Sequence, residues 1–293
     1  MILLFLGGGY CSEFITLLLN KSAKIISTHS KLPHTAQFHN HQHIQRYELI
    51  DFFKNNSNLL SEVTHILNSI PPDNSGDIVV NEIEKNKKKF KNLVWLGYFS
   101  TTGVYGDHSG NWVDENSQLR TVNRRSINRI TAENQYLNLF HNFGLPSHIF
   151  RLPGIYGPKR SIFERLSDLS SKIVSKKDHF FSRIHVEDIS KFILESMTNQ
   201  TPGQIYNLTD DYPCEMLEII KFACKILKIK EPNKVSPENS NVSEMTKSFF
   251  SENKKVSNSK AKKILCSKLL YPNYKIGLNS IYENYFKLKK NNS

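Results

Sequence analysis

Two short stretches of this chain carry residue types that could act on a small molecule. Ser100-Thr101-Thr102-Gly103-Val104-Tyr105-Gly106 puts a run of hydroxyls directly after the apolar segment Leu93 to Phe99 and closes it with glycines. A hydroxyl at the carboxyl end of a buried strand, beside a turn, stands where an open α/β sheet meets its ligand, and it can hydrogen-bond a carbonyl or alcohol oxygen. Gly7-Gly8-Gly9-Tyr10-Cys11-Ser12 follows the apolar run Ile2 to Leu6 and opens a helical pattern. Read as G-x-G-x-x-S, it supplies a tight turn at Gly7 and close backbone approach to a pyrophosphate at Gly9. Ser12 is small enough for the helix–strand packing position. The helix that starts at Tyr10 then offers free N–H groups and the positive end of its dipole to an anion. A glycine turn with no ligand is the plainer alternative.

The hydroxyl stretch resembles the Ser-Ser-x-x-Val-Tyr-Gly strand end of the extended short-chain dehydrogenase/reductase family, which includes nucleotide-sugar epimerases and dehydratases. That family carries Tyr-x-x-x-Lys on the next helix and a Glu four residues after the Lys. Here the helix reads Arg124-Arg125-Ser126-Ile127-Asn128-Arg129-Ile130-Thr131-Ala132-Glu133, so Glu133 aligns Arg129 with the Lys and Arg125 with the Tyr. The chain is thus similar to the atypical branch that lacks this pair. The resemblance implies that Thr101 hydrogen-bonds the substrate oxygen. Arg125 cannot replace the Tyr as general acid, because a guanidinium stays charged at any working pH. Arg129 can still donate to a ribose. The two arginines are four apart and share a helix face, which suits a carboxylate or phosphate on a substrate; in a different register both would be solvated. Tyr105, usually structural in the family, is the alternative proton donor. Arg151 to Pro158, Phe181 to Asp188 and Gly203 to Leu208 resemble later family segments, with Arg183 and His185 bordering the substrate cavity or, for His185, simply bonding backbone.

The resemblance also implies a nicotinamide dinucleotide. Asp51 matches an adenine-contacting Asp, and Ile70 and Pro71 would wall the adenine or ribose side. The second strand ends in Ser27-Thr28-His29-Ser30-Lys31, with no carboxylate for a ribose 2′-hydroxyl. Ser30 and Lys31 suit a 2′-phosphate, so NADP is preferred over NAD, unless the two are ordinary loop residues.

Short apolar runs alternating with helical patterns argue for βαβ units. The expected fold class is α/β, a doubly wound parallel (Rossmann) sheet with a smaller C-terminal α/β lobe. Its NAD(P)-binding domain would span 1–158, with a return near 186–210, and the substrate-binding lobe 159–293. Strands are expected at Ile2–Leu6, Ala23–Ser27, Gln45–Ile50, His65–Ser69, Leu93–Phe99 and Ser147–Leu152. A long helix should run from about Asn123 to Gly144 and another over Ile162–Val174. The polar stretch Lys228–Asn253 reads as a loop.

The 293 residues are 39% hydrophobic, enough for a large core, and no run approaches the 18 apolar residues of a membrane span. The apolar start lacks a basic n-region and reads as a strand, which gives a cytoplasmic expectation. Four scattered cysteines without C-x-x-C fit reduced thiols. The net charge of +12 accompanies Lys and Asn spread along the whole chain, without the interleaved aromatics of a single-strand surface, so nucleic acid is disfavoured. His39-x-His41-x-His43 lacks a fourth ligand, and no metal is expected. Partners reduce to a small-molecule substrate, possibly anionic, with the chain a monomer or homodimer. Two functions remain: an NAD(P)-dependent oxidoreductase or epimerase-like enzyme acting on an aldehyde- or sugar-like carbonyl or hydroxyl, or a non-catalytic NADP-binding redox sensor or scaffold.

Overall fold

The pleat of the first strand, β1 (Ile2–Leu6), sorts its side chains onto two faces: Leu3 and Phe5 enter one buried cluster, Leu4 and Leu6 another. The computed structural model describes residues 1–30, 44–166, 173–239, 242–265 and 268–287. Lys31 and the repeat from His39 to His43 lie outside the described residues.

After β1 come α1 (Tyr10–Leu18), β2 (Lys24–His29), β3 (Ile44–Glu48), α2 (Leu49–Asn55), α3 (Ser57–Leu60), β4 (His65–Asn68), α4 (Ile78–Asn86), β5 (Trp95–Thr101), β6 (Trp112–Val113), α5 (Arg124–Phe143) and β7 (Ser147–Leu152). The chain continues through β8 (Gly154–Tyr156), α6 (Ile162–Leu166), β9 (Ile173–Val174), β10 (Phe180–Phe181), β11 (Arg183–His185), α7 (Val186–Thr198), β12 (Ile205–Asn207) and β13 (Cys214–Glu215). It closes with α8 (Met216–Leu227), β14 (Lys234–Val235), α9 (Glu244–Phe250), β15 (Lys255–Val256), α10 (Ser259–Ile264) and α11 (Tyr274–Ile281).

Seven strands form one parallel sheet in the order β12-β7-β5-β4-β1-β2-β3. This is the expected doubly wound sheet. Its winding reverses between β1 and β4, so the loops leaving their carboxyl ends diverge around a crevice, the place where such sheets bind ligands. Helices α1, α7 and α10 cover one face, filling it with Ile15, Ile189, Phe192 and Ala261. Helices α2, α4 and α5 cover the other with Phe52, Val79, Ile83 and Tyr136. Helix α5 starts at Asn123, whose side chain accepts from the Arg125 N–H, and stops at Gly144 in the left-handed conformation (φ 69°). A third cluster gathers Phe163, Ile173, Ile219, Ile220, Tyr274 and Leu278 from α6, β9, α8 and α11.

Four expectations change. Strand β3 ends at Glu48, because Leu49 and Ile50 open a helix that buries Phe52 and Phe53. The helix from Ile162 is described over Ile162–Leu166, and Ile173–Val174, expected at its end, is a strand paired in parallel with β14. The stretch Lys228–Asn253 is no plain loop, since it builds β14 and α9. Beyond the return at 186–210, a second segment comes back to the main sheet: Ala261, Leu265 and Leu269 pack in the α1–α7 cluster.

Candidate active site

The glycine turn is built by tight contacts beneath it and open space above. Gly7 has φ +91°, and a Cβ there would lie 2.7 Å from Ser69 Oγ and 3.0 Å from Ile70 Cγ1. A Cβ on Gly8 would lie 2.0 Å from Ser27 Oγ and 2.7 Å from His29 Cε1, so this third glycine, which the G-x-G reading left unassigned, is required as well. Gly9 has nothing within 4 Å of its Cβ position. The Gly7 N–H donates to Thr28 Oγ1 (3.3 Å), Ser69 Oγ to the Gly7 carbonyl (2.7 Å) and Ser12 Oγ to the same carbonyl (3.3 Å). The first-turn N–H groups of α1 have no helical acceptor, and the space over Gly9 beside them is open. This cradle fits a dinucleotide diphosphate. The Tyr10 hydroxyl donates to the Pro158 carbonyl (3.0 Å), and the Arg160 guanidinium lies 5.5 Å from its ring centroid. Burial raises the Tyr10 pKa, so it is a hydrogen-bonding strut.

Around the crevice, Ile70 is half-buried against Gly7, and Pro71 and Ser30 are exposed. The end of β2 shows Ser27, Thr28 and His29, all buried, and no carboxylate. Asp51 is exposed in the first turn of α2, accepting from Asn55 Nδ2 (2.6 Å).

Beneath Thr101 runs a buried polar network. Ser100 Oγ donates to Glu133 Oε1 (2.5 Å), and Arg151 grips the same carboxylate with Nε (3.0 Å) and Nη2 (2.7 Å). Arg151 Nη1 donates to the Tyr105 hydroxyl (2.9 Å), which donates to Asn207 Oδ1 (2.7 Å). Glu133 and Arg151 are each 2% exposed. Desolvation pushes the Tyr105 pKa up to about 12. Tyr105 therefore does not reach the substrate side: its hydroxyl is spent on Arg151 and Asn207, which corrects its candidacy as proton donor. Thr101 caps the turn that follows, accepting from the Gly103 N–H (3.1 Å).

Thr101 opens onto a cavity of about 730 Å³ that also takes Gly103, Ser126, Arg125 and Arg129 from the nucleotide side. The structure thus brings three of the four catalytic candidates together and leaves out Tyr105. Arg125 is exposed. Arg129 is anchored through Nη1 on the Tyr98 hydroxyl (3.2 Å) and the Phe99 carbonyl. The remaining wall takes Arg183, which the resemblance set at the border of the cavity, and Arg160, Arg165, Phe180, Phe181, Phe249, Glu252 and Lys254, which sequence did not connect to the site. Lys254 Nζ donates to the Gly106 carbonyl (2.9 Å) and to Glu252 Oε2 (2.8 Å). His185 stands outside the cavity: its Nδ1 accepts from the Glu187 N–H (3.3 Å), its ring packs on Tyr156 and Tyr271, and burial lowers its pKa to about 3. Among the described residues no group of three or more His, Cys, Asp or Glu could hold a metal ion, and no helix is long and apolar enough to cross a membrane.

A functionally unknown conserved protein from Silicibacter pomeroyi has the same structure, with a TM-score of 0.88, 34% identity and coverage of 97% of this chain and 99% of that one. The chain belongs to the family of that conserved protein. Its fold is also that of NAD-dependent epimerases and dehydratases. The dTDP-glucose 4,6-dehydratase of Bacillus anthracis, solved with NAD, superposes with a TM-score of 0.80 at 18% identity, covering 99% of this chain and 98% of its own. The UDP-glucuronic acid 4-epimerase of Bacillus cereus, also with NAD, gives 0.78 at 18%, covering 98% and 99%. No family model matches the chain, and no curated protein does.

Proposed function

We propose that this protein is an NAD(P)-dependent oxidoreductase or epimerase-like enzyme acting on the carbonyl or hydroxyl of a small, anionic, aldehyde- or sugar-like substrate. The observation that carries this reading is the placement of Thr101, at the carboxyl edge of β5, on one cavity with Arg125 and Arg129, two strands from the glycine cradle of β1. The nucleotide, held by Gly7, Gly8, Gly9 and the first turn of α1, supplies hydride exchange when bound. Thr101 donates a hydrogen bond to the substrate oxygen, Arg129 reaches the nicotinamide ribose side, and Arg125 meets the substrate's anion. The α6–α8–α11 cluster serves as the core of the substrate-binding lobe, and its Phe180–Phe181 edge walls the cavity. The carboxylate-free end of β2, with Ser30 exposed beside it, favours NADP over NAD.

A second reading is favoured by one observation: among the described residues the cavity wall carries no phenol and no imidazole, the groups that pass protons near neutral pH. A non-catalytic NADP-binding sensor or scaffold needs neither.

Titration with NADPH and NADH, following nicotinamide fluorescence, tests both readings. Saturable binding, tighter for NADPH, is expected. Loss of neither reporter's free signal at micromolar protein would remove both. Turnover on a panel of aldehydes and phosphorylated sugars, abolished by Thr101→Ala, separates the enzyme from the sensor.

A further inference from the structure

We infer that the cavity holds a dianionic oxyanion, a phosphate monoester or a dicarboxylate, carried on a flat apolar body and clamped between guanidiniums of its two walls. The inference deepens the enzyme reading above and uses the same cavity.

The charge on the walls is one-sided. Arg125 and Arg129 come from α5, Arg160 and Arg165 from the β8–α6 segment, and Arg183 from β11. The carboxylate on the wall, Glu252, is already engaged by Lys254 Nζ (2.8 Å) and the Thr121 hydroxyl (3.2 Å). Among the described residues no carboxylate ion-pairs with Arg125, Arg129, Arg160 or Arg183.

Arg183 is the most telling of them. It is half-buried, and its Nη1 meets only neutral acceptors, the carbonyls of Phe181 (2.8 Å) and Cys214 (3.4 Å) and the Cys214 sulfur (3.4 Å), while Nη2 faces Met216 Sδ at 3.9 Å. Burial depresses its pKa, opposed in part by Cys214 and by Asp210, which lies near without a hydrogen bond to it. A cation withdrawn from water in this way is costly until an anion joins it. A guanidinium presents two parallel N–H donors that match the edge of a phosphate or carboxylate.

Arg160, stacked beside Tyr10 at the start of α1, lies on the diphosphate side of the cradle. Arg125, from α5, and Arg183, from β11, remain for the substrate, and neutralising both takes two negative charges. Among hydroxyl and amide groups, the wall also carries a set of aromatic rings. Phe180, Phe181 and Phe250 line it, and Phe249 is 61% exposed on the short polar helix α9. A large side chain left in water at a cavity mouth is a surface for the apolar part of a ligand.

The test is isothermal titration of the full chain, with and without saturating NADPH, using phenyl phosphate, isophthalate, inorganic phosphate and benzyl alcohol as probes. Phenyl phosphate or isophthalate is expected to bind saturably, at least about tenfold more tightly than inorganic phosphate or benzyl alcohol. Arg183→Gln and Arg125→Gln should each weaken that binding at least about tenfold. Arg124→Gln, on the same helix but bonded to Asn74 outside the cavity, should leave it unchanged. Whichever of the two probes binds more tightly identifies the oxyanion. Thermal unfolding of each variant checks that it is folded. No dianion binding in either form, or equal weakening by Arg124→Gln, overturns the clamp. Anion binding in a chain that ignores NADPH would sink the nucleotide reading and leave the clamp standing.

Discussion

Arg151 and Arg183 are both withdrawn from water, and they are held in opposite ways. Arg151, under the Thr101 strand end, has Glu133 on two of its nitrogens and Tyr105 on the third. Arg183, on the far wall of the cavity, meets carbonyls and sulfur and no carboxylate. Its neighbourhood is incomplete in other respects too. The Tyr156 hydroxyl, His185 Nε2 and Asp210 Oδ2 are buried there without a hydrogen-bond partner. Such groups are costly to bury. The floor of the site is finished in the free protein and fixes where Thr101 stands; behind Arg183, outside the cavity, the packing leaves polar groups unpaired.

Replacing the two arginines separates these roles most sharply. Arg151→Met strands the Glu133 carboxylate and is expected to cost about 3–5 kcal/mol of stability in urea unfolding. Arg183→Met removes a cation that no carboxylate hydrogen-bonds and is expected to leave stability within about 1 kcal/mol of the starting protein, or raise it. Equal losses would make Arg183 structural and dissolve the contrast.

The region behind Arg183 also has a pH signature. Burial pushes the Asp210 pKa up to about 8, with Arg183 opposing the rise and Asp211 and Asp188 adding to it. Between about pH 4, where a free carboxyl titrates, and about 8 the folded chain keeps a proton that the unfolded chain has released. Stability contributed by this group is therefore full at low pH and falls as pH rises through that window. Asp210→Asn should gain on the parent protein progressively as pH rises from about 4 to about 8.5, and by nothing at pH 4; a pH-independent difference would show Asp210 ionised throughout.

Tyr105→Phe, on the finished side, removes one hydroxyl from between Arg151 and Asn207. A loss of about 1–2 kcal/mol is expected, with NADPH affinity unchanged by nicotinamide fluorescence. The smallest effect belongs to Arg125→Gln, exposed on α5, which should shift the unfolding midpoint by less than about 0.5 kcal/mol while weakening anion binding.

The finished side was the legible one. Alternation in Ile2–Leu6, the run to Phe99, and a helix stopped by Gly144 are local patterns, and local patterns fix β1, β5 and α5. The glycine turn and Thr101 could be read because each is a few adjacent residues at a strand end. Arg125 and Arg129 could be paired because helical spacing alone puts them on one face. The wall was not legible for the opposite reason. Arg160, Phe249 and Lys254 come from three segments that only tertiary packing assembles, and of the wall only Arg183 was named, through the resemblance. Helix α9 was hidden in a polar stretch because it buries little beyond Phe250. Tyr105 was misjudged because sequence gives its neighbours along the chain but not Arg151 and Asn207, which occupy its hydroxyl.

Strand β15 pairs in parallel with β6, and Asn253 receives the His108 and Gly110 N–H groups while its side chain receives that of Phe180. The loop after Thr101 is thus held in place by residues more than a hundred positions later. On a ribosome the glycine cradle and the Thr101 strand can form while the last hundred residues are still being made, but the cavity wall waits for Lys254 and Val256. A chain stalled or cut before that point would present the glycine turn and the Thr101 hydroxyl at an open edge, so the two sides of the cavity are completed far apart in time.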